Sequence, residues 1–190
     1  FGTDPRQVAK QEMYNIIYKT ELLENVTTEF SFDDSTIDLT YNYGQFFSTK
    51  QSQFNFKNSF RLSEKDELLL GFESRTMKRN PASSGVTKRK SNSYYMAYLK
   101  NIDLLDIQVN LRNDSTNLFG DEITYLLGAK YNQTEKFSYY FNKSTAFITP
   151  NTYAISTNAS VLPEQHDQYE LGLTFFDDFT FFRVGYFDTD

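Results

Sequence analysis

The sequence predicts an all-β protein, an antiparallel transmembrane β-barrel wall of about ten strands, and three observations predict it. The first is alternation along extended segments, clearest in LDIQVNLRND at 105–114. There Leu105, Ile107, Val109 and Leu111 share one face, and Asp106, Gln108, Asn110, Arg112 and Asp114 the other, because successive side chains of a strand point to opposite sides. The second is composition: 39% of residues are hydrophobic but 17% are aromatic, supplied by 19 Phe and 14 Tyr. A barrel needs an apolar residue only at every second position, and its aromatic girdles absorb Phe and Tyr. The third is that short and longer connections alternate, which gathers the short ones at one end of the sheet. Short periplasmic turns and longer extracellular loops are the rule in such barrels.

Ten segments carry the pattern. The first, 11–22, has Tyr14, Ile16, Tyr18 and Leu22 on one face, and 26–41 follows less regularly with Phe30, Phe32, Ile37 and Leu39. Segment 46–62 sets Phe54, Phe56, Phe60 and Leu62 against Gln53, Asn55, Lys57 and Arg61, and 67–78 sets Leu68, Leu70 and Phe72 against Gly71, Glu73 and Arg75. In 93–101 the expected apolar face is Tyr95, Ala97 and Leu99, and the strand from Leu105 comes next. Segments 121–131 and 137–147 contribute Ile123, Tyr125, Leu127 and Ala129, then Phe137, Tyr139 and Phe141. Segment 168–176 sets Tyr169, Leu171, Leu173 and Phe175 against Glu170, Gly172 and Thr174, and 180–188 places Phe182, Val184 and Tyr186 in front of Arg183 and Gly185. The links 23–25, 63–66, 102–104, 132–136 and 177–179 read as tight, and 42–45, 79–92, 113–120 and 149–167 as longer or more irregular. No segment holds a helical apolar period for three turns.

Several function classes find no residues to carry them. Without cysteine there are no disulfides and no thiolate metal site, and a single histidine, His166, rules out a multi-histidine centre within the chain. A net charge of −6 supplies no basic field for nucleic acid. No apolar run is long enough for a membrane-spanning helix. Glu73, Arg75, Arg112, Glu170 and Arg183 read as polar lining of a wet interior, not as catalytic groups. No nucleophile elbow, phosphate loop or acid–base pair is present, so no enzyme, catalytic residue, metal or cofactor is expected. Asp114, Asp188 and Asp190 lack calcium-site spacing and read as solvated loop acids, and His166, in PEQHDQ, as an exposed loop residue. The run Lys88-Arg89-Lys90 suits either the phosphates of surface lipids or a solvated loop tip.

From Leu111 onward the chain resembles the TonB-dependent outer-membrane receptors. The resemblance rests on LRNDSTNLFGDEITYLLGAKYN, then FSYYFNKSTAFITPNTY, then NASVLPEQHDQYELGL. Within these lie Arg112-Asn113-Asp114 at a strand end, the pair Phe119-Gly120, a loop containing proline, Leu162-Pro163-Glu164, and Tyr169-Glu170-Leu171-Gly172 opening a strand. Within the family the spacing is most similar to the vitamin B12 (cobalamin) transporters, and the similarity extends upstream through QSQFNFKNSF and ELLLGFES. The resemblance implies that residues 1–190 are one barrel fragment of a 22-stranded wall in the bacterial outer membrane. It implies lipid around the wall, and a plug domain and C-terminal strands outside this sequence, with TonB reached through the plug. The imported ligand would be large and scarce, cobalamin first and a ferric siderophore as the alternative. The loop 149–167 would face outside, with Asn151, Tyr153 and Asn158 as ligand contacts, and Arg112 and Arg183 would meet a plug or lumen water. The competing architecture is a small self-closed barrel of ten strands acting as pore or adhesin.

Overall fold

The computed structural model describes residues 7–41, 46–80, 88–150, 154–155, 158 and 160–190. They form ten strands: β1 (Gln7–Leu23), β2 (Val26–Tyr41), β3 (Phe46–Ser63), β4 (Asp66–Asn80), β5 (Lys88–Ile102), β6 (Leu105–Thr116), β7 (Gly120–Asn132), β8 (Phe137–Ile148), β9 (Glu164–Phe176) and β10 (Phe181–Thr189). Each strand pairs with the next in one sheet of order β1 to β10, and every ladder is antiparallel, from Gln7↔Tyr41 at one edge to Thr189↔Gln168 at the other. Among the described residues β1 and β10 make no contact, so the ten strands do not close on themselves.

The antiparallel register carries each face across the sheet, because directly paired residues project to the same side. Phe30 pairs with Phe56, Phe56 with Phe72 and Phe72 with Tyr94, giving an aromatic row across β2 to β5. Ring centroids are 4.8 Å apart for Phe30–Phe56 and 5.1 Å for Phe72–Tyr94. The apolar face continues through Val109, paired with Tyr98 and Leu127, to Leu171, paired with Phe141 and Tyr186. Polar residues interrupt it at Thr28 and Asn58, where Thr28 donates a 2.6 Å hydrogen bond to Asn58, at Asn113, paired with Tyr94, and at Lys143, paired with Leu127.

No apolar side chain is buried among the described residues; the buried four are Thr28, Glu73, Ser93 and Asp114. Ile16 stays 68% exposed and Val184 50%. A water-soluble domain hides such residues, whereas a wall whose apolar face meets lipid has no need to.

The expected strand pattern holds, with three differences. The apolar face of β5 is Tyr94, Met96 and Tyr98, which pair with Phe72, Leu70 and Leu68. Tyr95, Ala97 and Leu99 project to the polar face with Gly71, Leu69 and Glu67. From Tyr94 to Leu99 both faces of this strand are apolar, so alternation carries no sign there and the ladder alone assigns the sides. Secondly, the strands are longer than their alternation. β5 begins at Lys88 and β3 runs 18 residues, about 60 Å at the usual rise, roughly twice a hydrocarbon core. Lys88-Arg89-Lys90 is therefore strand and not a loop tip. Thirdly, β6 and β7 continue until only 117–119 separate them, and Gly120 takes a φ of +80° at the exit of that tight turn. The link 42–45 lies outside the described residues.

The side assignment of β5 is checked by a pair of substitutions. Met96→Arg places a charge on the apolar face and costs about 2–4 kcal/mol near the bilayer midplane, whereas Ala97→Arg leaves folding within about 0.5 kcal/mol. Unfolding titrations of the full-length protein in lipid vesicles give both numbers.

Candidate functional site: the charged polar face

The polar face is organised around two residues too small to fill their places. Ser93 on β5 pairs with Glu73 on β4 and with Asp114 on β6, which sets these side chains in one row across three strands. The small hydroxyl of Ser93 leaves room above it for the guanidinium of Arg112. Arg112 donates from Nε to Asp114 Oδ2 at 2.8 Å, and from Nη2 to Ser93 Oγ at 2.8 Å and to Glu73 Oε1 at 3.2 Å. Ser93 in turn donates to Asp114. On the other side Arg75 Nη2 donates to Glu73 Oε1 at 2.9 Å, and Arg75 Nε to Gln53 Oε1 at 3.0 Å. Gln53 Nε2 closes the loop onto Glu73 Oε2 at 3.2 Å. Both carboxylates are nearly buried, yet each holds charge-assisted bonds, which is what makes their burial tolerable.

The second small residue is Gly71. A Cβ there would lie 2.1 Å from Tyr95 Cζ, so only glycine lets the Tyr95 ring lie flat across β4. Arg112 stacks over that ring at 5.6 Å. The arrangement recurs between β8 and β10. The Tyr140 ring lies over Gly172 and Gly185, and Arg183 sits 4.6 Å above it. Arg183 Nε donates to the Tyr140 hydroxyl at 3.1 Å and Nη2 reaches Glu170 Oε1 at 3.4 Å. Arg112 and Arg183 are thus held in place by the wall itself, and each keeps part of its side chain exposed on the polar face.

Towards the end of the sheet where β5 begins, the polar face turns cationic. Arg89 donates to Thr149 Oγ1 and to the Pro150 carbonyl, both at 2.8 Å, and stacks over Phe119 at 5.9 Å. It thereby ties β5 to the start of the link between β8 and β9. Its Nε is buried without a partner. Its pKa lies below the ordinary arginine value, first because it is half-buried and then because Arg75 is nearby. Arg75, Arg89 and Arg112, with Glu73 and Asp114, line a cavity of about 110 Å³. Three cations meet two anions there, and Arg89 has hydroxyl and carbonyl partners only. The place suits an anion.

Of the expected ligand contacts, Asn151 and Tyr153 lie outside the described residues. Asn158 is exposed, but its side-chain oxygen accepts from Ser160 N at 3.0 Å, a local turn that leaves only its amide NH₂ to meet a ligand. Asp114 is a wall residue and not a loop acid, and His166 sits inside β9 paired with Ala146. In the sequence Arg89 reads only as a member of a basic run suited to surface-lipid phosphates or a loop tip, because within such a run one-dimensional reading gives no inward or outward sign. The alternating strand supplies it: Arg89 shares the polar face with Ser91 and Ser93, while Lys88 and Lys90 take the other.

Residues 2–190 match a family described as the TonB dependent receptor-like β-barrel. The chain belongs to that family. Its polar face is therefore the lumen wall and its apolar face meets lipid. Comparison with curated proteins gives no match. Among solved structures the chain is similar to the siderophore receptor PirA from Pseudomonas aeruginosa, with a TM-score of 0.88 at 18% identity, over 98% of this chain and 40% of that one. It is similar to a mutant ferric enterobactin receptor, PfeA, from the same organism in complex with enterobactin, with 0.87 at 13% identity over 95% and 35%. The ferric-catecholate import receptor Fiu from E. coli K12 gives 0.80 at 11% over 99% and 42%. At such identities the likeness shows the fold. The chain spans about two-fifths of the length of these receptors, and none of the three is a cobalamin transporter.

Two substitutions probe the lumen wall. Arg112→Ala leaves the nearly buried Asp114 with Ser93 alone, while Glu73 keeps Arg75 and Gln53, and costs about 2–3 kcal/mol, less than for a fully buried pair because lumen water reaches the guanidinium. Gly71→Ala evicts the Tyr95 ring and costs about 1–3 kcal/mol by overpacking, while Gly120→Ala, whose Cβ would meet nothing within 4 Å, leaves the ring in place. Unfolding midpoints in lipid give the energies, and a ring-current shift of Tyr95 reports the displacement.

Proposed function

We propose that this chain is part of the wall of an outer-membrane, TonB-dependent receptor that imports a ferric siderophore. The observation that carries the reading is the cationic end of the lumen wall, where Arg89 faces inward with no carboxylate of its own beside Arg75 and Arg112. Ferric catecholates are bulky and anionic, and arginine combines charge with flat stacking surfaces. Cobalamin, the ligand expected from motif spacing, offers no comparable negative charge to that site. That the similar solved structures are siderophore, ferric enterobactin and ferric-catecholate receptors favours the same choice.

The wall needs partners to do this. Among the described residues β1 and β10 each pair along one side only, and unpaired backbone is not tolerated in hydrocarbon. Further strands must therefore flank β1 and β10, and a wall of about 22 strands, which leaves room for a plug, fits the reading. The plug and its link to TonB would supply gating and energy. Asn151, Tyr153 and the amide of Asn158 remain candidate contacts at the outer mouth, above Arg89 and the Thr149–Pro150 segment it holds.

Calorimetric titration of the full-length protein in detergent tests the reading. A ferric catecholate is expected to bind, and Arg89→Ala to weaken it about tenfold, in line with loss of one charge-assisted contact. Saturable binding of cyanocobalamin with no binding of ferric siderophores would return the cobalamin reading.

A further inference from the structure

The lipid-facing side of β3, β4 and β5 changes character along the strands, and it does so in the same order on all three. Phe54, Phe72 and Tyr94 close the apolar belt, and Ser52, Ser74 and Asn92 follow two residues further out. Ser74 Oγ donates to Asn92 Oδ1 at 2.8 Å. Beyond this polar step the charged residues on these three strands are all lysines. Lys50 pairs with Lys78, Lys78 pairs with Lys88, and Lys90 stands next to them opposite Thr76. All four are exposed.

Like charges set directly opposite each other destabilise a sheet, and this row does so twice running. On the strands directly beside the row, acids lie to one side only. On β2, Asp34 reaches Lys50 at 3.5 Å and accepts from Ser52 at 2.6 Å, and Asp38 faces Lys10 and Ser48. Asp121 on β7 faces Ser115, and Ser115 separates it from β5. Among the described residues Lys78, Lys88 and Lys90 have no ion pair. The neighbouring links, 42–45 and 81–87, read NYGQ and PASSGVT and contain no carboxylate that could supply one.

The height of the row points to its counter-ion. Lys90 stands four residues beyond Tyr94 and Lys78 six beyond Phe72, about 13 and 20 Å along a strand and less once the strand tilts. An aromatic side chain at the belt marks the hydrocarbon boundary, and lysine stems reach several ångströms back towards it. Aromatic ring, then hydroxyl and amide, then ammonium matches acyl chain, then sugar, then phosphate in a glycolipid.

We propose that the outer face of β3–β5 binds a phosphorylated glycolipid of the outer leaflet. Lys78, Lys88 and Lys90, with Lys50 at the margin, hold its phosphates, and Ser52, Ser74 and Asn92 meet its sugars. The proposal rests on the membrane-barrel reading but not on the choice of imported ligand.

The test uses full-length protein purified in detergent, titrated with a bis-phosphorylated diglucosamine lipid and followed by native mass spectrometry. The bis-phosphorylated lipid is expected to bind more tightly than its mono-phosphorylated form. The triple variant Lys78→Gln, Lys88→Gln, Lys90→Gln is expected to bind about 100-fold more weakly, at roughly fivefold for each lysine near an anionic surface. Lys65→Gln with Lys136→Gln, at the opposite rim, should bind as the parent does. Equal binding by the triple variant overturns the proposal. Displacement of the lipid by inorganic phosphate as complete as by competing lipid makes the row a plain anion site and also overturns it. Loss of heat-modifiable migration by the parent protein would instead strike the barrel reading, and it is read before any lipid is added.

Discussion

Within hydrocarbon no water is available to an unpaired peptide group, so every N–H and C=O must find its partner in the sheet. The rest of this structure follows from that constraint. It explains why β1 to β10 pair in unbroken sequence with nearest-neighbour ladders, and why the register shifts at Glu21/Leu23 and Arg61/Ser63 sit beside tight turns at one rim. It also removes the need for an apolar core. Ile16, Val184 and their neighbours are exposed because lipid replaces the second sheet that a soluble sandwich would require.

What a core does elsewhere, a polar lattice does on the lumen side. Glu73 accepts from Arg75, Arg112 and Gln53 at once, and Asp114 accepts from Arg112 and Ser93. Small residues make this possible: Ser93 beneath a guanidinium, Gly71 and Gly172 beneath tyrosine rings. The lattice fixes arginines that would otherwise wander, so the lumen presents charge in set positions. Towards the outer end the acids run out, and Arg89 takes hold of Thr149 and the Pro150 carbonyl instead. Rigidity in the middle and cationic character at the mouth thus come from one continuous stretch of β4, β5 and β6.

Strands β3, β4 and β5 carry a second gradient on their lipid-facing side. Because they run well past the apolar belt, each has an outer portion that meets neither hydrocarbon nor lumen water alone. Phe54 gives way to Ser52 and Lys50, Phe72 to Ser74 and Lys78, Tyr94 to Asn92 and Lys90. Odd and even positions of β5 therefore answer to different neighbours at the same height: Arg89 inward to the passage, Lys88 and Lys90 outward to the membrane surface.

The sequence by itself determined the strands, most of their faces and the family. Alternation with period two needs no knowledge of neighbours wherever one face is apolar and the other charged, as in Leu105–Asp114, and the tight links at one rim were visible as short gaps. Tertiary structure decided what alternation leaves blank. Tyr94 to Leu99 is apolar on both faces, so only the pairing with Leu68, Leu70 and Phe72 shows that Tyr95 looks into the lumen. Lys88-Arg89-Lys90 looks like one basic run until the ladder separates its members. Asp114 reads as a loop acid until Arg112, Ser93 and Glu73 are brought to it from three strands. The physical reason is common to all three. A strand's own sequence sets the contrast between its two faces, but which face is inside, and which charges meet there, is a property of register between strands and exists only once they pair.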